Sequence, residues 1–122
     1  MSTIYLAPYI SPGNDFDVFA RVRKRNPSAP SQKIAATGLT VTMILSASST
    51  TLAAISGTTT VTLSEGGSEA GSYLGTFTGL DLTTALGSIA DGATLYVVVS
   101  SGTNARRILP VTVKKVLAPD GA

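Results

Sequence analysis

The chain is 122 residues long, a single-domain length, and carries nine Lys and Arg against seven Asp and Glu for a net charge of +2. It contains no Cys, no His and no Trp, which removes disulfide scaffolds, zinc ribbons, thiol nucleophiles and the commonest general base together. Apolar residues reach 43% and charged residues only 13%, about half the usual charged share, so a packed core is expected and disorder is not. Ser, Thr, Ala and Gly fill the difference. A surface so weakly charged suits either a chain packed against neighbours or a small β domain with a Thr/Ser-coated face.

Residues 1–14 read as an extended arm. Pro8, Pro12 and Gly13 break regular helix, while Tyr5, Leu6, Tyr9 and Ile10 supply apolar handles. Such an arm either crosses its own domain or docks on another subunit; because it lacks the alternation of a long strand, the remainder is expected to fold without residues 1–12, with the four handles anchored on another subunit. The opening "MSTIYLAPYISPG" has neither the basic nor the apolar region of a signal peptide, and none is expected.

In "DFDVFARVRKR", Phe16, Val18, Ala20 and Val22 alternate with Asp17, Phe19, Arg21 and Arg23, the period of a half-buried strand. "NPSAPSQK" reads as a loop punctuated by Pro27 and Pro30. "GLTVTMILSAS" predicts a strand with Leu39, Val41, Met43 and Leu45 on one face; "TLAAIS" predicts a shorter one and "TTTVTLSE" another, with Val61 and Leu63 inward. "GGSEAGS" is a turn. "YLGTFTG" follows as a strand with Tyr73, Gly75 and Phe77 on one face and Leu74, Thr76 and Thr78 on the other. Gly75 between two aromatics predicts a close approach by backbone or ring.

"LDLTTALGSIADG" is the one helical stretch: Asp81 is the expected N-cap, and Leu82, Ala85, Leu86 and Ile89 follow helical spacing until Gly92. "ATLYVVVSSG" predicts a strand buried on both faces. "RRILPVTVKKV" predicts a last strand, at an edge or bulged because Pro110 cannot donate. About seven strands with turns every ~8–12 residues predict an antiparallel β-sandwich, here spanning 15–117 with a C-terminal tail at 118–122.

The spacing of Gly71, Tyr73, Gly75 and Phe77, followed by the Leu82 turn and the strand at Tyr96 and Val97, reads as one β-arch in "GSYLGTFTGLDLTTALGSIADGATLYVVV". Tyr73, Phe77, Leu82 and Tyr96 are its expected core or rim anchors. With this arch, the chain over roughly residues 15–117 resembles the immunoglobulin-like domains of tailed-bacteriophage structural proteins, such as head decoration (cement) proteins and baseplate or tail modules. The expected fold is therefore all-β: an antiparallel immunoglobulin-like β-sandwich with one short helical turn and an extended N-terminal arm. Asp91, Gly92 and Tyr96 do not match the Asp-x-Gly-x-Tyr corner of antibody-type domains, and the Cys pair is missing. That argues against an antibody-like domain and leaves the sandwich standing.

Catalysis, cofactors and metals are not expected. Ser and Lys are plentiful, but no motif singles out a pair. Asp15 and Asp17 share a strand face, yet a hard-cation site wants more oxygen ligands. Gly66 and Gly71 have phosphate-loop spacing, but Ser72 stands where the lysine belongs and the segment sits between strands. The bases are segregated: Arg21, Arg23, Lys24, Arg25 and Lys33 in one segment, Arg106, Arg107, Lys114 and Lys115 in the other, with all seven acids outside both. Such segregation fits an acidic protein partner, a polyanion, or a strand edge kept soluble by its charges. Nucleic acid is disfavoured because only Phe19 lies near the bases as a stacking platform.

The resemblance implies a non-enzymatic virion structural protein, foremost a capsid decoration (cement) subunit adding buried area across capsomer boundaries. It would be made in the host cytoplasm and used on the capsid surface, in many copies or as a homo-oligomer. The major capsid protein or other virion subunits would be its partners. Tyr5, Leu6, Tyr9 and Ile10 are the expected arm contacts, and Arg21, Arg23 and Arg25 the basic stripe meeting an acidic shell. The alternatives are a baseplate, tail or head–tail module of the same fold, and a carbohydrate- or receptor-binding domain, which the absence of Trp disfavours. The longest strongly apolar run, Leu95 to Val99, is too short for a membrane span.

Overall fold

The alternation read in the strand after Asp15 organises the whole molecule. The computed structural model describes residues 2–26, 28–35, 37–66, 71–101 and 105–115. The strands are β1 (Ser2–Leu6), β2 (Tyr9–Ile10), β3 (Phe16–Asn26), β4 (Ala29–Ala35), β5 (Val41–Ser46), β6 (Val61–Glu65), β7 (Ser72–Phe77), β8 (Thr94–Ser101) and β9 (Ala105–Val113). Between β7 and β8 lie helix α1 (Gly79–Ala85) and a 3-10 turn (Leu86–Ser88). The fold is all-β apart from that turn of helix.

The strands form one curled sheet in the order β1-β3-β7-β6-β5-β8-β9-β2, with β4 off this path on β3. The pairings are antiparallel except β2 with β9, which is parallel. β6 carries the bend: Val61, Thr62 and Leu63 pair with β5, whereas Ser64 and Glu65 pair with β7. Side chains from both flanks therefore meet in one core, with Val18, Ala20, Tyr73 and Phe77 from one side and Met43, Leu45, Val97 and Val111 from the other. Leu82 and Leu86 of the helical link, both fully buried, join the same core.

The N-terminal segment is part of this sheet. β1 pairs with β3 at one end of the strand order, and β2 pairs with β9 at the other. Pro8 C=O accepts from Thr112 N and Ile10 C=O from Lys114 N, both at 2.9 Å. Ile10 is 1% exposed and belongs to the core, while Ile4 and Leu6 pack against it. The segment expected as an arm apart from 15–117 thus lies along both edges of that sheet, and Leu6 and Ile10 are spent inside their own fold. Outward-facing Tyr5 and Tyr9 had hidden a short inward alternation of Ile4 and Leu6. The tail at 118–122 lies outside the described residues.

Several local features follow from backbone demands. Thr78, not Asp81, caps α1: its Oγ1 accepts from Asp81 N at 3.3 Å, which places Asp81 in the first turn where its charge favours the helix dipole. Leu82, Ala85 and Leu86 are buried as the spacing required. A Cβ on Gly75 would stand 2.7 Å from Leu63 Cγ and 3.1 Å from Met43 Cε, so the expected close approach is real and is made by aliphatic side chains. β8 buries Leu95, Val97 and Val99 in the core and Val98 on its other face, but Tyr96 is only half-buried.

Two expectations change. "NPSAPSQK" contributes β4, which pairs with the second half of β3; Pro30 is tolerated because β4 is bonded on one side only among the described residues. "TLAAIS" supplies only an isolated bridge, Ser46 with Ala54. There Ser48 N donates to Ser46 Oγ, and Thr50 N and Thr51 N donate to Ser48 Oγ, taking donors a strand would use. Pro110 sits as expected of an edge. Thr112 N points toward β2, so two residues earlier the missing N–H faces a side where no described strand pairs.

Candidate interface

Strand β3 sets the geometry. Its even positions Phe16, Val18 and Ala20 are buried; its odd positions face out, with Asp17 and Arg23 exposed and Phe19 and Arg21 half-buried. The register places Tyr5 of β1 and Leu74 of β7 on either side of Phe19, and Ser64 of β6 beyond Leu74. Tyr5 is 52% and Leu74 51% exposed, so with Phe19 an apolar row runs across the outside of three strands, and polar Ser64 follows it on β6. The Tyr5 and Phe19 rings lie 5.7 Å apart at 42°. Beside the row is a groove of about 480 Å³, walled by Phe19, Val61, Leu74 and Thr76.

The same register gathers four arginines at one end of the sheet, while Lys114 and Lys115 follow β9 at the other end, beside Asp91. Arg21 stands opposite Ser72 at the start of β7, Val41 at the start of β5 stands opposite Ser101 at the end of β8, and Arg106 and Arg107 open β9 beside Ser100 and Val99. Arg21, Arg23, Arg106 and Arg107 therefore share one end of the sheet although they come from distant segments. The β3–β4 hairpin extends that end and pairs Arg25 with Lys33 along the backbone; the Arg25 side chain lies outside the described residues. Glu65 at this end is committed to its own fold, where its Oε1 accepts from Gly38 N at 2.8 Å.

Asp15, Asp17 and Asp91 lie at the opposite end and hold corners. Asp15 Oδ1 accepts from Gly79 N at 2.7 Å, Asp17 Oδ1 from Thr76 Oγ1 at 2.6 Å, and Asp91 Oδ1 from Lys115 N at 2.7 Å. Asp15 and Asp17 thus serve different partners instead of converging. A Cβ on Gly79 would meet Gly13 O at 2.5 Å, so Gly79 lets the turn before β3 lie against the start of α1. Among the described residues no group of three or more His, Cys, Asp or Glu is placed to hold a metal ion. Among them, too, no helix is long and apolar enough to cross a membrane.

Of the residues singled out in the sequence, Tyr5 and Tyr9 are exposed, and Lys114 Nζ lies 4.8 Å from the centre of the Tyr9 ring. Leu6 and Ile10 are turned inward. Leu74 is the exposed apolar residue of this row that sequence reasoning passed over. Its outward position was readable from its alternation with Tyr73 and Gly75, but its place beside Phe19 and Tyr5 needed the register. No known family model matches the chain, and a search of curated proteins finds no match.

Proposed function

We propose that the protein is a non-enzymatic structural subunit with an immunoglobulin-like sandwich fold that acts by adhesion on a virion, foremost as a capsid decoration subunit. The strand order supports the sandwich. β1, β3, β7 and β6 follow the A-B-E-D order of one immunoglobulin layer, and β5, β8 and β9 the C-F-G order of the other. The N-terminal segment contributes an edge to both.

The observation that carries the functional reading is the gathering of arginines from distant segments. Arg21, Arg23, Arg106 and Arg107 stand at one end of the sheet, where Glu65 is the one acid among the described residues. An end so rich in arginine suits an anionic surface and steers approach to it. An acidic protein lattice is the partner that also accommodates the exposed Tyr5 and Tyr9, since aromatic and Arg side chains are the types enriched in protein interfaces. Leu6 and Ile10 are withdrawn from the anchor set.

The test is co-sedimentation of the purified protein with emptied shells, and separately with tails, of the virus that encodes it. Pelleting with shells, released by salt and lost in an Arg23→Glu, Arg106→Glu, Arg107→Glu variant, is the expected result. Pelleting with tails alone moves the protein to the tail module of the same fold. Salt-dependent binding to DNA with no binding to either particle fraction replaces the reading with nucleic-acid binding.

A further inference from the structure

We infer that the outer face of β1, β3 and β7 is a self-complementary surface that binds a second copy of this chain, two-fold and with the β3 strands antiparallel. The inference shares Arg21 and Tyr5 with the adhesion reading but does not rest on it, and the test below uses the chain alone, without particles. Along the exposed side of β3, Phe19 is flanked two residues before by Asp17 and two residues after by Arg21, with Arg23 beyond. Each step of two residues is roughly 6.6–6.8 Å. Phe19 is therefore the midpoint between a carboxylate and a guanidinium.

Two isologous ways of laying this face on itself exist, and the charges choose between them. With the two-fold axis along the strands, Asp17 would meet Asp17 and Arg21 would meet Arg21, and like charges in an interface are costly. With the axis in the interface plane but across the strands, Asp17 meets the second copy's arginine in both halves of the contact. The centre then stacks Tyr5, Phe19 and Leu74 on their own equivalents. An apolar centre with charged pairs at its rim is the anatomy of a specific interface. Arg21 is half-buried and engaged within its own fold, but a guanidinium carries five N–H donors and can serve a second acceptor. Asp17 is exposed, and its bond to Thr76 uses one of several lone pairs.

The size of the face sets the expected strength. Three strands spaced ~4.8 Å apart and about five residues of each give a patch roughly 15 Å by 17 Å. That is short of the ~800 Å² per partner of a standard stable interface. The dimer is accordingly reversible and concentration-dependent.

Sedimentation equilibrium on the full chain from micromolar to near-millimolar concentration tests the inference. The wild type is expected to pass from monomer to dimer. Asp17→Arg alone and Arg21→Asp alone should each weaken the dimer by about tenfold or more, since each puts like charges together twice per dimer. Mixed in equal amounts, the two variants should form a heterodimer near wild-type affinity, because every charged pair is then opposite in sign. A wild type monomeric throughout overturns the inference without recourse to any variant. So does a dimer indifferent to both reversals, or a mixture of folded variants that does not restore association.

Discussion

Ile10 is the residue through which the N-terminal segment is most firmly tied to the sheet. It is 1% exposed, lies in the shared core and accepts from Lys114 N at 2.9 Å. Full burial of such a side chain contributes ~1.5–3 kcal/mol, and truncation that leaves a cavity costs about 2–5 kcal/mol. Deleting residues 1–12 removes Ile10 together with the half-buried Ile4 and Leu6, and it strips a paired neighbour from β3 and from β9. The apolar loss alone is ~3–6 kcal/mol, against a total stability of about 5–15 kcal/mol for a domain. The truncated chain is therefore expected to be unfolded or barely folded at 25 °C. Ile10→Ala should fold with a Tm lowered by about 10 °C or more, at roughly 2–8 °C per kcal/mol across domain sizes. Tyr9→Ser, at a side chain 53% exposed, should shift stability by less than about 1 kcal/mol. Urea and thermal unfolding followed by far-UV circular dichroism reads all three. A deletion chain within ~0.5 kcal/mol of the full-length protein would refute the assignment of β1 and β2 as structural strands.

Phe77 is 2% exposed, and Phe77→Ala should cost ~3–5 kcal/mol in the same urea titration. Gly75→Ala forces a Cβ against Leu63 and Met43 in the core and should cost about 1–3 kcal/mol; a neutral result would mean that the core gives way there. Thr78→Ala should lose ~1 kcal/mol through its cap bond, and Asp81→Ala distinctly less. The reverse ranking would return the cap to Asp81.

How far the sequence could be read depended on whether a feature was local. β3, β5 and β7 each show their buried faces through alternation, β8 shows its burial as a continuous apolar run, and Leu82, Ala85 and Leu86 show theirs through helical spacing. The N-terminal segment failed that test for a physical reason: β1 and β2 are short edge pieces, and Tyr5 and Tyr9 place apolar side chains on the solvent side. The β3–β4 hairpin was hidden by Pro27 and Pro30 in the sequence, of which Pro30 lies in a strand bonded on one side only among the described residues. Thr78 and Asp81 are both competent caps by residue type, and only backbone geometry chooses between them. The candidate surface was half legible. Arg21, Arg23 and Phe19 share a face by alternation alone, but Tyr5 and Leu74 join them only through register with two other strands. Arg106 and Arg107 reach the basic end in the same non-local way.

Under the proposed function, attachment to an acidic protein shell runs through the arginine-rich end of the sheet. Its most direct measurement is the fraction of protein pelleting with emptied shells as salt rises, for the wild type and for the Arg23→Glu, Arg106→Glu, Arg107→Glu variant. Wild-type protein should pellet at low salt and be released as the Debye length shrinks from ~10 Å at 0.1 M to ~3 Å at 1 M, with the variant in the supernatant throughout. Salt-independent pelleting shared equally by wild type and variant would contradict the proposal, and would leave those arginines as the solvated end of a sheet.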